Sequence, residues 1–231
     1  MQSVDTDAQF VYNENGLRVK KTVNGVVTDY TLHGKNVVHM TRESDELHFF
    51  YDAQNRPAVV AYNGVPYAYV KSLQGDVIAI LDAVGNVVVS YVYDAWGAPI
   101  GKSGALAETL GTVQPFRYRG YVFDEETGVY YLRSRYYNPR WGRFVNADSY
   151  IGKMTMLSHN LFLYCHNSPI FRIDASGCED TTPAPTPSAL PQETPLPTPR
   201  PSRPENWRDI FAKLEIQNTI SNAVRKVTEA M

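Results

Sequence analysis

A short cassette recurs along the first half of the chain, and it restricts the possible folds more than any other feature. It reads aromatic or Leu, then Asp or Asn, two further residues, then Gly or Asn. It occurs as Tyr12-Asn13-Glu14-Asn15-Gly16, Tyr51-Asp52-Ala53-Gln54-Asn55, Leu81-Asp82-Ala83-Val84-Gly85 and Tyr93-Asp94-Ala95-Trp96-Gly97. The Asp or Asn side chain accepts hydrogen bonds from backbone N–H groups two residues on and opens a type I turn. The Gly or Asn takes the left-handed position that closes the turn with a bulge. The flanks, at residues 26–32, 47–51, 66–70, 77–81 and 87–93, are rich in β-branched and aromatic residues. Such residues suit a pleated, half-buried surface. No stretch of ten residues here keeps a helical period. Residues 1–113 are therefore predicted to be repeated antiparallel β-hairpins, with 101–113 as a longer loop. One hairpin is marginal in water, so neighbours must share edges and a buried face.

Composition then divides the chain. All sixteen tyrosines lie before residue 165, whereas nine of the fifteen prolines fall between 183 and 204. Residues 178–204 read as a Pro/Thr-rich linker of extended polyproline type. Residues 205–231 read as one amphipathic C-terminal helix. Trp207, Ile210, Phe211, Leu214, Ile220 (off register by one or two), Val224 and Val227 recur there at mostly three- or four-residue steps. A net charge of −2 disfavours a nucleic-acid partner. Cys165 and Cys178 supply neither a disulfide framework nor a zinc set, so no cofactor and no metal are expected. The aliphatic run at 77–81 is too short to span a membrane. The start, Met1-Gln2-Ser3-Val4-Asp5, has no signal-peptide pattern. Either the chain stays where it is made or it is a piece of a longer exported protein.

Residues 114–147 are denser, with six of the fourteen arginines interleaved with aromatics. At strand spacing Arg117 and Arg119 share one face, and Arg133 and Arg135 share one face of the next strand. Asp124-Glu125-Glu126-Thr127-Gly128 is the loop between them. Either this is a phosphate-binding surface with stacking aromatics, or a paired hairpin whose arginines meet carboxylates and Tyr rings. The charge balance favours the second. Downstream, Asp148-Ser149-Tyr150-Ile151-Gly152 and Asp174-Ala175-Ser176-Gly177 echo one another.

The cassettes, the run Phe116-Arg117-Tyr118-Arg119-Gly120-Tyr121, the run Val129-Tyr130-Tyr131-Leu132-Arg133-Ser134-Arg135-Tyr136-Tyr137-Asn138-Pro139-Arg140-Trp141-Gly142-Arg143-Phe144 and the two Asp elements resemble the RHS repeat-associated core. That core is the C-terminal part of bacterial RHS/YD-repeat polymorphic toxins. The resemblance spans roughly residues 10–178 and is most specific at 115–177. It implies an all-β module: YD-type hairpin repeats over 1–113, forming part of a β-shell, and a core plug over 114–177. The implied partners are the rest of the shell and a C-terminal toxin domain, in a secreted or surface-exposed longer chain.

The resemblance also implies self-cleavage by two aspartates. Asp148 and Asp174 hold those positions, Arg143 is a candidate to bias which is charged, and the scissile region is Gly177, Cys178 and Glu179. Two carboxylates held close cannot both ionise cheaply, so one keeps a proton and the other activates water. The sequence departs from the family pattern at Ser149 and Ala175, where the family has proline, and at Cys178, where it has Leu. Two rival readings remain open. One is a cell-surface carbohydrate-binding or adhesion module, which needs exposed Tyr rows. The other is a glycosidase with an open cleft between the two carboxylates. The self-cleaving module needs both carboxylates buried together near 177–179.

Overall fold

The computed structural model describes residues 7–148, 160–178 and 181. Ten strands run in chain order: β1 (Ala8–Tyr12), β2 (Arg18–Val23), β3 (Val26–His33), β4 (Asn36–Arg42), β5 (Asp45–Tyr51), β6 (Pro57–Tyr62), β7 (Val65–Lys71), β8 (Val77–Leu81), β9 (Val87–Tyr93) and β10 (Pro99–Ser103). They form one antiparallel sheet in which every strand pairs with its sequence neighbours. The cassettes build their turns as expected. In each, Oδ1 of Asn13, Asp52, Asp82 or Asp94 accepts from the N–H groups two and four residues on, at 2.8–3.0 Å. The closing residues Gly16, Asn55, Gly85 and Gly97 have φ between +61° and +89°. A register shift sits beside each of these turns.

The sheet buries one face. Tyr30, Met40, Leu47, Phe49, Val60, Tyr69, Ile80, Val89 and Tyr91 form its apolar layer. What covers them is the segment after β10. Only residues 104–109 of the expected loop lack regular structure, because β10 reaches Ser103 and a short helix, α1 (Leu110–Val113), follows. The helix ends in Gln114, which is wholly buried. Its Nε2 donates to the Tyr91 hydroxyl (2.9 Å) and the Phe116 carbonyl (3.0 Å), and its Oε1 accepts from the Tyr69 hydroxyl (3.1 Å) and the Phe116 N–H (3.0 Å). With its amide satisfied on both sides, Gln114 can sit among apolar rings. Phe116 then meets Phe49 edge-on at 5.0 Å.

A second sheet follows: β11 (Val122–Asp124), β12 (Val129–Tyr131), β13 (Tyr136–Asn138) and β14 (Arg143–Phe144), again antiparallel and in order. The loop at 124–128 is the expected hairpin. The paired faces of arginines are not. Residues 118–120 form a tight 3-10 turn, with Arg119 at φ +55°, and Arg133 turns at φ +68°. Arg117 is buried over the Tyr91 ring at 4.2 Å and donates to the carbonyls of Gly111 and Gln114. Arg117 and Arg119 are packing pieces that cap carbonyls inside the module.

The plug is clasped to the repeats by its tyrosines. The hydroxyls of Tyr118, Tyr137 and Tyr130 donate to the carbonyls of Ala95 (3.0 Å), Trp96 (2.8 Å) and Gly97 (2.7 Å). The last cassette is thus a socket. A Cβ on Gly97 would lie 2.5 Å from the Tyr118 ring, whereas one on Gly85 would meet nothing within 4 Å, and both have φ near +88°. Gly97→Ala is expected to cost about 2–5 kcal/mol, the sum of a left-handed backbone and overpacking. Gly85→Ala should cost only about 1–2 kcal/mol, the backbone part alone. Urea midpoints compare the two, and equal losses would remove the socket argument. The Pro/Thr linker and the terminal helix lie outside the described residues, apart from Cys178 and Thr181.

Candidate functional site

The two aspartates singled out by sequence converge on one guanidinium, that of Arg135. Its Nη1 is 2.9 Å from Asp148 Oδ2 and its Nη2 is 3.2 Å from Asp174 Oδ2. Its Nε donates to the carbonyl of Gly177. The guanidinium is stacked over Phe144 at 3.6 Å and its side chain is nearly buried. Arg135 precedes the buried Tyr137 by two residues, which puts both on the inward face of their segment. That parity was readable in the sequence. The sequence reading placed Arg133 and Arg135 on one face meeting carboxylates, and Arg135 does meet two.

Asp174 is held from several sides. Its Oδ1 accepts from the N–H groups of Ser176 (3.2 Å), Gly177 (2.7 Å) and Cys178 (3.2 Å). Its own N–H donates to the Tyr121 hydroxyl at 3.1 Å. This is the turn expected of an Asp three residues before Gly. Burial raises its carboxyl above the usual range, and Arg135 with the three N–H groups offsets this only in part. Asp148 is less enclosed, with 13% of its side chain exposed against 2% for Asp174. Its N–H donates to the Leu161 carbonyl at 3.0 Å.

The candidate scissile segment is pinned. The Ser134 hydroxyl donates to the Ser176 carbonyl at 2.7 Å, and Cys178 Sγ donates to Ser134 Oγ at 3.2 Å. Gly177 lies at φ +73°, and a Cβ there would come within 2.8 Å of the Leu132 carbonyl. Ile173 and Thr181 exchange two backbone hydrogen bonds, at 2.8 and 2.9 Å. Ile173, Ala175 and Thr181 border a cavity of about 580 Å³ between sheet and plug. Arg143 sits elsewhere, exposed on β14, with its backbone bridged to Leu163. Glu179 lies outside the described residues.

Comparisons with known proteins agree with this architecture. Residues 36–170 match the family model of the Teneurin YD-shell. The tRNA nuclease WapA of Bacillus subtilis (strain 168) is 39% identical over 175 residues, covering 74% of this chain and 7% of WapA. The toxin protein Tse5 of Pseudomonas aeruginosa is 33% identical over 104 residues, covering 45% of this chain and 7% of Tse5. Among solved structures, the TcdB2-TccC3-Cdc42 complex superposes with a TM-score of 0.59 at 19% identity. That match covers 74% of this chain and 9% of the other, and it bears on fold alone. The chain spans about 7% of the length of the WapA relatives it matches. With the hairpin meander, the tyrosine-clasped plug and over half its residues inside the matched model, the chain belongs to the RHS/YD-repeat shell family.

Proposed function

We propose that this chain is the closing segment of an RHS shell in a secreted toxin system, and that it cuts itself at the end of its plug. The observation that carries the proposal is Arg135, which joins Asp148, Asp174 and the Gly177 carbonyl through three separate nitrogens. In this reading the Gly177–Cys178 bond is cleaved. Arg135 Nε polarises the Gly177 carbonyl and stabilises the oxyanion that forms on it. Asp148, charged beside Arg135, takes a proton from the attacking water. The water oxygen bonds to the Gly177 carbonyl carbon. The Cys178 N–H donates to Asp174 Oδ1 at 3.2 Å, and in this reading Asp174, whose carboxyl burial raises, once protonated delivers its proton to that nitrogen as it departs. The products are a Gly177 carboxylate and a new N-terminus at Cys178. The segment downstream would then stay with the shell by contact alone, as a carried toxin must if it is to be released.

An adhesion module with rows of exposed tyrosines is less well supported. Among the described residues Tyr12 is the one exposed tyrosine, and its hydroxyl is 2.7 Å from that of Tyr136. A glycosidase cleft is also less well supported, because a guanidinium fills the space between the carboxylates. Intact mass of the purified chain tests the proposal. Two fragments breaking after Gly177 are expected, and a single full-length species for Asp174→Asn. A full-length mass for the unmodified chain would sink self-cleavage and leave the shell assignment standing.

A further inference from the structure

The sheet has a second cluster of chemically active side chains, far in sequence from the plug. His39 on β4 and His48 on β5 are directly opposed in the strand register. Glu46 precedes His48 by two residues and so shares its face. All three alternate with the core residues Met40, Leu47 and Phe49, so they stand on the face turned away from the plug. Both imidazole Nε2 atoms point at one oxygen, Glu46 Oε1, each at 3.1 Å. The two rings stack at 4.4 Å between centroids. The three donor atoms lie within 4.8 Å of one another.

An ordinary cross-strand ion pair joins two groups, and here three converge on a point. In a tetrahedral zinc site with bonds of roughly 2.0–2.1 Å, neighbouring donors are about 3.3 Å apart. The two nitrogen-to-oxygen separations already match that edge. Two imidazoles and a carboxylate suit zinc, copper or nickel better than magnesium or calcium. Three protein donors leave one position for water. In the metal-bound form each imidazole would offer Nε2 to the ion and carry its proton on Nδ1. The side chains are 27%, 48% and 55% exposed for His39, His48 and Glu46, so an ion can reach them.

We propose that His39, Glu46 and His48 form a binding site for a divalent d-block cation, zinc first, that clips β4 to β5 on the outer face of the sheet. The test uses the full chain without an affinity tag, stripped with a chelator and titrated with cobalt. One equivalent should produce the visible absorption of four-coordinate cobalt, and zinc should displace it. His48→Ala should abolish the signal, and Glu46→Gln should weaken binding at least tenfold. Saturating zinc should raise the urea midpoint of the wild-type chain and leave that of His39→Ala unchanged. All three residues are on the surface, and near-UV circular dichroism confirms that the variants fold. Binding that survives His48→Ala would place the ion elsewhere and overturn the site, as would a titration with no saturable phase.

Discussion

Replacing Asp124 by Ala is expected to destabilise the module by about 3–5 kcal/mol, enough to unfold many domains. Asp124 is fully buried and holds two cations. Arg18 grips it through Nη1 at 2.6 Å and Nη2 at 2.9 Å, and Lys21 Nζ lies 3.1 Å away. Lys21 and Arg42 also meet Glu126, at 2.8 and 3.1 Å. The Arg18 guanidinium is ringed by Phe10, Tyr30 and Tyr131 at 4.5–5.3 Å. Lys21 keeps Glu126 when the carboxylate is deleted, but the Arg18 side chain, 1% exposed, is left as a buried charge without its carboxylate. Asp29→Ala is the control. Its partner Lys20 is about half exposed, and such pairs contribute about 0–1 kcal/mol. Urea unfolding of both variants gives the comparison, and similar losses would show the buried network to be dispensable.

The same network sets an acid limit. Burial alone would raise the Asp124 carboxyl, but Arg18 and then Lys21 outweigh it and hold the group below its ordinary 3.8. A lowered carboxyl contributes stability that is complete above that ordinary value and is lost as pH falls through the folded one. Stability should therefore decline below about pH 4, and the decline should be shallower in Asp124→Ala. Asp174 has the opposite sign. Its raised carboxyl contributes stability below 3.8 that is lost as pH rises through the folded value.

The second large effect is expected from Arg135→Met. The substitution keeps much of the side-chain volume over Phe144 but removes three donors at once. Asp174, Asp148 and the Gly177 carbonyl all lose their shared cation, and the buried Asp174 carboxyl is left with three backbone N–H groups and the Ser176 hydroxyl. A loss of about 3–5 kcal/mol is expected from breaking such a buried pair. Asp174→Asn, which removes the charge along with its need for a partner, should cost less. Both should remain full length by mass. Cleavage in Arg135→Met at the wild-type rate would remove Arg135 from the proposed mechanism, while equal stability of the two variants would remove it from the fold. A double-mutant cycle of the two should show a coupling of about 0.5–3 kcal/mol.

What could be read from sequence follows the range of the interactions. Each cassette is a local device, since Asp52 or Asp82 closes its turn with atoms two and four residues away. The meander is legible for that reason. The twin Asp elements were legible as a pair only through resemblance, because no local rule brings Asp148 to Asp174. Arg117 and Arg119 were misplaced because strand parity assumes a strand, and the 118–120 turn breaks it with a left-handed Arg119. The tyrosine clasp was invisible. Nothing in Tyr93-Asp94-Ala95-Trp96-Gly97 marks it off from the other cassettes, and its role comes from hydroxyls 23 to 41 positions downstream.

The separation between Arg18 and its carboxylate has a consequence for how the protein is made. The two lie 106 positions apart. A ribosome adding roughly 5–20 residues per second needs roughly 5–20 s to deliver Asp124 after Arg18. For that interval the first hairpins leave the ribosome with their inward-facing arginine and lysine still hydrated, and the apolar layer beside them lacks its cover. Local turns can close at once, but the cations cannot be buried until the plug arrives. Synthesis is thus split into a quick phase of turn formation and a late phase of charge burial.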